Sequence, residues 1–163
     1  MTENQKKLPA ETMRLAKILG IVAKEVENLL YTRRKIDARK IDLEWASTLA
    51  TTPDEAEIVD AFVSRFSRLQ DTLEDKLIPV LLRLVLEPVG SVIDNLNRAE
   101  KLGWLSSVDA WQDARLQRNR LAHECLEQPE KFLAALLAAM GHVELLVEMS
   151  RNVREYARAK LAV

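Results

Sequence analysis

Trp111-Gln112-Asp113-Ala114-Arg115-Leu116-Gln117-Arg118-Asn119-Arg120-Leu121-Ala122-His123-Glu124-Cys125 is the stretch on which the reading of this chain turns. Advancing about 100° per residue from Trp111, a helix gathers Trp111, Ala114, Leu121, Ala122 and Cys125 into one stripe roughly 100° wide. Such a stripe marks an amphipathic helix that packs on a core. Arg118 falls near the middle of it. A guanidinium keeps its charge when buried, so it needs a partner, a cleft or an anion. A carboxylate such as Asp71 or Glu74 across the bundle is one candidate partner, and a bound phosphate is the other. Asn119 and His123 are one turn apart and stack on the flank of the stripe. Arg118 and His123 are about 140° apart on an ideal helix, so they serve one site only if the arginine reaches round or a second subunit closes it.

Around this helix the composition points to all-α. With 4 Gly, 5 Pro and few β-branched runs in 163 residues, little favours a sheet. The length suits a single domain over 1–163. A formal net charge of −1 excludes a global basic field for nucleic acid, so any RNA contact must use local patches. The polar start Met1 to Lys7 has no apolar core behind it, and no apolar run approaches the length of a membrane span. The lone Cys125 cannot form an internal disulfide. A cytoplasmic protein that engages no membrane is the expectation.

Helical spacing predicts a first helix over about Ala10–Tyr31, then a short helix or packed connector over Ile41–Leu49 carrying Trp45. Between them, Arg33-Arg34-Lys35 and Arg39-Lys40 read either as a solvated helix end or as a local phosphate-contacting patch. Thr52-Pro53-Asp54-Glu55 starts the next helix, with Thr as N-cap and Pro at N1. Pro79 should kink or end that helix, and Pro88 with Gly90 breaks the apolar segment that follows. Ser91 and Asp94 form a capping box for a helix to about Leu102, with Gly103 as C′ residue. Ser106 and Asp109 have the same spacing and open the central helix, about Val108–Leu126. Pro129 suits the first turn of a last long helix, Glu130 to about Lys160. Four or five main helices with short connections imply an antiparallel up-and-down bundle.

The residue types of R-N-x-x-x-H suit phosphodiester cleavage. Histidine transfers protons near neutral pH. Arginine holds phosphate and stabilises transition-state charge, and an amide orients either. In RNA the 2′-hydroxyl supplies the nucleophile, so Arg118, Asn119 and His123 suffice without metal and would leave a 2′,3′-cyclic phosphate. Arg115 and Arg120 on the same helix, with Arg33 and Arg34, are the candidate phosphate contacts. No Cys/His cluster has ligand spacing, and there is no P-loop, Rossmann fingerprint or nucleophile elbow, so no metal or cofactor is expected. Trp104 and Trp111 read as core anchors, or alternatively as base-stacking platforms.

The helical order and the segment from Trp111 to Cys125 resemble the HEPN superfamily, in particular its small subunits paired with minimal nucleotidyltransferases. The likeness covers about residues 55–150, with 1–52 as an N-terminal helix and connector. It includes Asp60-Ala61-Phe62-Val63-Ser64-Arg65-Phe66, Asp94-Asn95-Leu96 through Leu102-Gly103, Trp111, and Arg118-Asn119 with His123. The resemblance implies a helical bundle that dimerises so that two motif helices form a composite cleft. It further implies a metal-independent ribonuclease toxin silenced by a nucleotidyltransferase antitoxin, with Arg118, Asn119 and His123 carrying catalysis. One departure stands out: the family commonly has tyrosine two residues after the histidine, the position its partner adenylylates, and here it is Cys125. A thiol cannot form that phenolic ester. Cys125 reads as a small buried hydrophobe, or as a reactive thiol. A non-catalytic substrate-binding or regulatory subunit of a nucleotidyltransferase is the competing function.

Overall fold

The computed structural model describes residues 3–123 and 127–163. The described residues are all-helical, with no strand among them. In order, the helices are α1 (Glu3–Asp37), α2 (Leu43–Thr48), α3 (Pro53–Asp71), α4 (Ile78–Leu84), α5 (Val92–Lys101), α6 (Val108–His123), α7 (Pro129–Gly141) and α8 (Val143–Leu161). A 3-10 turn, Leu49–Thr51, follows α2, and a π-helical turn, Thr72–Leu77, joins α3 to α4. α1 packs along α3, α4 and α8, while α6 lies between α3 and α7. One hydrophobic cluster serves them all, with Leu15, Val22 and Leu29 meeting Phe62, Phe66, Leu69, Trp111, Leu136 and Val153.

α1 is longer than its predicted span, Ala10–Tyr31. Its buried stripe continues past Tyr31 through Thr32 and Ile36, one and two turns beyond Leu29. The threonine is tolerated there because its hydroxyl donates to the Asn28 carbonyl and accepts from Arg65 Nη1 at 2.6 Å. A polar residue inside the stripe hid the continuation.

At the start of α3, Pro53 takes the first-turn position, but Thr52 is not the expected side-chain cap. Its hydroxyl donates back to the Thr48 carbonyl at 2.9 Å. Glu55 instead ties the region together, accepting from the Arg39 guanidinium and from Trp45 Nε1 at 3.1 Å. The Arg39 bond, helped by Trp45, holds the Glu55 carboxyl below its ordinary 4.5 against the opposing effect of burial. A depressed folded-state pKa stabilises above the unfolded value and loses that stabilisation as pH falls through the folded value. Glu55→Gln is therefore expected to flatten the acid limb of the stability–pH curve below about 4.5, read by urea unfolding from pH 3 to 7. An unchanged acid limb would show that the link contributes nothing.

Pro79 neither ends nor sharply breaks its helix. A proline lacks the N–H for the i−4 bond, and its ring crowds the i−4 carbonyl. Widening the preceding turn relieves both: Ile78 N–H bonds to the Leu73 carbonyl, five residues back, and α4 continues to Leu84. The capping box of Ser91 and Asp94 forms as expected. Gly103 adopts φ 79°, with Trp104 N–H on the Ala99 carbonyl and Gly103 N–H on the Glu100 carbonyl, a Schellman ending. The cap of α6 is Ser107, not Ser106. Ser107 Oγ accepts from Ala110 N at 3.1 Å, and Glu100 Oε2 accepts from Val108 N at 2.7 Å.

The predicted last helix, Glu130–Lys160, is two helices that meet at Gly141-His142. The break leaves the Met140 carbonyl without its helical partner, and Arg33 Nη1 donates to it at 2.9 Å. Arg33 thus closes the C-terminus of α7, where a cation also suits the helix dipole. Together, Pro129–Leu161 hold an 18-residue window of mean hydropathy 1.7, so by length and composition one stretch does match a membrane span. Leu136, Met140, Val143 and Leu146 within it are core residues.

Candidate functional site

Arg118 finds a carboxylate. Its Nη2 donates to Asp71 Oδ1 at 2.7 Å, its Nη1 donates to the Ser67 carbonyl at 2.8 Å, and its side chain is 10% exposed. One turn earlier, Arg115 pairs with Glu74 and lies 3.8 Å from Asp71. Glu74 is buried and also accepts from Trp111 Nε1 at 2.8 Å. Gln70 Nε2 donates to the Trp111 carbonyl at 3.0 Å. Gln70, Asp71 and Glu74 thus form a polar seam from the end of α3 into the π turn, matched by Trp111, Arg115 and Arg118 on α6. The i, i+4, i+7 spacing of the α6 residues sets all three on one face.

The opposite face of α6 carries Gln112, Leu116, Asn119, Arg120 and His123, all exposed. Asn119 and His123 stack one turn apart there, as their spacing requires, with Arg120 beside them. Arg118 and His123 are therefore brought to different faces, and a single chain does not assemble them into one site. Arg115, read as a phosphate contact, is committed to Glu74. Arg33 is committed to the Met140 carbonyl and to Asp37 at 3.3 Å. Arg34 and Arg120 are exposed and make no ion pair among the described residues. Of the basic run after Tyr31, Arg39 also serves the fold through Glu55. Cys125 lies outside the described residues.

Trp104 and Trp111 are buried core anchors rather than exposed stacking platforms, with Trp104 edge-on to Tyr156 at 5.3 Å between ring centres. No group of three His, Cys, Asp or Glu side chains among the described residues has the geometry to hold a metal ion.

A second histidine, which spacing did not connect to the motif helix, is tied to it. His142 Nε2 lies 2.6 Å from Asp113 Oδ2, and Gln117 Nε2 donates to Asp113 Oδ1 at 3.2 Å. The His142 bond, followed by the Gln117 bond and the charges of His142 and Arg120, holds the Asp113 carboxyl below the usual carboxylate range despite partial burial. Sequence offered no signal for this pair, because the break at Gly141 that places His142 opposite Asp113 was itself unread.

Compared with known proteins, the chain matches no family model, no curated protein and no solved structure. Its functional reading stands on these residues.

Proposed function

We propose that this protein is a metal-independent endoribonuclease of the HEPN type. It acts as a homodimer and serves as the toxin of a pair whose antitoxin is a minimal nucleotidyltransferase. The observation that carries this reading is the exposed row Asn119, Arg120, His123 on α6. An imidazole, an amide and a guanidinium share one solvent-facing surface, and none is spent on the fold among the described residues. His123 takes the proton of an RNA 2′-hydroxyl, and the 2′-oxygen bonds to phosphorus. The P–O5′ bond breaks, and the 5′-oxygen takes a proton from the imidazolium of the second copy, leaving a 2′,3′-cyclic phosphate. Asn119 orients the imidazole or a phosphate oxygen, and Arg120 offers positive charge to the phosphate. Arg118 joins only by exchanging Asp71 for phosphate. Asp71 is 49% exposed and borders an open groove of about 400 Å³ with Ser67, Arg68, Asp75 and Lys76, so the carboxylate to be exchanged is open to solvent.

The Arg118–Asp71 pair also favours a second reading, a non-catalytic subunit that binds substrate for a nucleotidyltransferase. An arginine whose two terminal nitrogens are held by a carbonyl and a carboxylate is already engaged by the fold. The deciding experiment incubates the purified protein with mixed RNA in excess chelator and maps the ends. Cyclic phosphate termini are expected; no cleavage by a folded dimer would overturn the ribonuclease and leave the binding subunit.

A further inference from the structure

A groove of about 450 Å³ runs between α6 and α7, lined by Gln117, Arg120, Lys131, Ala134, Ala135 and Ala138. Its floor is open because three alanines of α7, one turn apart or adjacent, leave no side chain to fill it. Two cations, Arg120 and Lys131, stand on opposite helices at its rim, both exposed. Neither makes an ion pair among the described residues, although Glu127 and Glu130 neighbour Lys131 in sequence. Lys131 sits in the first turn of α7, where the helix dipole adds to its charge. Gln117 is only 9% exposed, and one of its two amide N–H bonds is used on Asp113. Asp113, which accepts that bond, also lies 2.6 Å from His142 Nε2.

We infer that this groove is a phosphate subsite, binding one backbone phosphate of a single RNA strand beside the one at His123. Arg120 belongs to both places: it lines the groove and precedes His123 by three residues, about one turn. The guanidinium and the ammonium clamp the phosphate from α6 and α7, and the second N–H of Gln117 donates to it from below. The alanine floor admits the sugar-phosphate chain without a side-chain clash. The inference rests on the proposed function for its ligand, RNA, but not for cleavage.

The test measures fluorescence anisotropy of a fully 2′-O-methylated oligonucleotide, which binds but cannot be cleaved by its own 2′-oxygen, between 50 and 200 mM salt. Lys131→Gln and Arg120→Gln are each expected to weaken binding about three- to tenfold and to reduce the salt slope by about 0.7 for each phosphate no longer neutralised. Ala134→Glu, which fills the floor with a negative charge, should weaken it at least as much. Lys17→Gln on α1, an exposed lysine away from the groove, should leave both unchanged. Equal losses for Lys17→Gln and Lys131→Gln would show a net-charge effect and overturn the subsite, as would unchanged binding by Lys131→Gln. Absence of cyclic phosphate ends, with groove-dependent binding intact, would remove the ribonuclease and leave the subsite standing. Wild-type protein that binds no RNA would remove both.

Discussion

Glu74→Ala is expected to lower the free energy of unfolding by about 3 kcal/mol, the low end of the range for breaking a buried charge pair, because Arg115 is 37% exposed. The Glu74 side chain is 2% exposed, and its two oxygens serve different donors: Trp111 Nε1 at 2.8 Å and the Arg115 guanidinium. Truncation leaves an indole N–H without its acceptor and leaves the partly buried Arg115 guanidinium only the more distant Asp71, at 3.8 Å. It also opens space beside Trp111, one of the largest buried side chains. Glu74→Gln keeps the shape and one acceptor but loses the charge, so about 1–3 kcal/mol is expected. Urea unfolding at pH 7 measures both. A loss below about 1 kcal/mol for alanine would show that solvent replaces the carboxylate and that the seam does not hold α6 to α3.

The same seam explains what was legible in the sequence. Periodicity in Trp111, Ala114 and Leu121 located α6 and its buried face, and it marked Arg118 as a charge in need of a partner. It offered Asp71 and Glu74 as carboxylates without assigning them, because the register between α3 and α6 depends on the π turn at Thr72–Leu77. That turn is a response to Pro79, whose constraint is local but whose resolution by widening rather than breaking is tertiary: Leu73, Leu77 and Ile78 are all fully buried and hold the helix together through the distortion. Capping at Ser91 and the glycine ending at Gly103 were readable because both are decided within six residues. The split at Gly141 was not. It is fixed by Arg33, 107 residues upstream and bonded to the Met140 carbonyl, and by Asp113 opposite His142. The basic run at Arg33 illustrates the same limit. Its composition fits a phosphate patch, yet Arg33 and Arg39 are used by the fold, and only partners far apart in sequence reveal it.

His123→Ala is expected to lower RNA cleavage by about 10²–10⁴-fold, the contribution typical of a positioned general acid or base. Because His123 is exposed at the end of α6, its removal should leave the stability within about 0.5 kcal/mol of wild type. That separation of activity from stability is the useful feature, since Arg118→Ala cannot provide it. Removing Arg118 takes from Asp71 its closest donor and from the Ser67 carbonyl its side-chain bond to α6, so loss of activity would be confounded with loss of fold. Asp71→Asn resolves the role of the arginine. If Arg118 joins the reaction by exchanging carboxylate for phosphate, weakening its internal partner should preserve or raise cleavage while lowering stability. If Arg118 only clamps α6 to α3, cleavage should follow the fraction folded. Cyclic-phosphate end mapping in chelator gives the activity, and urea unfolding of the same samples gives the stability. Undiminished cleavage by His123→Ala would remove the histidine from the mechanism, and with it the assignment of the exposed α6 row as the catalytic face.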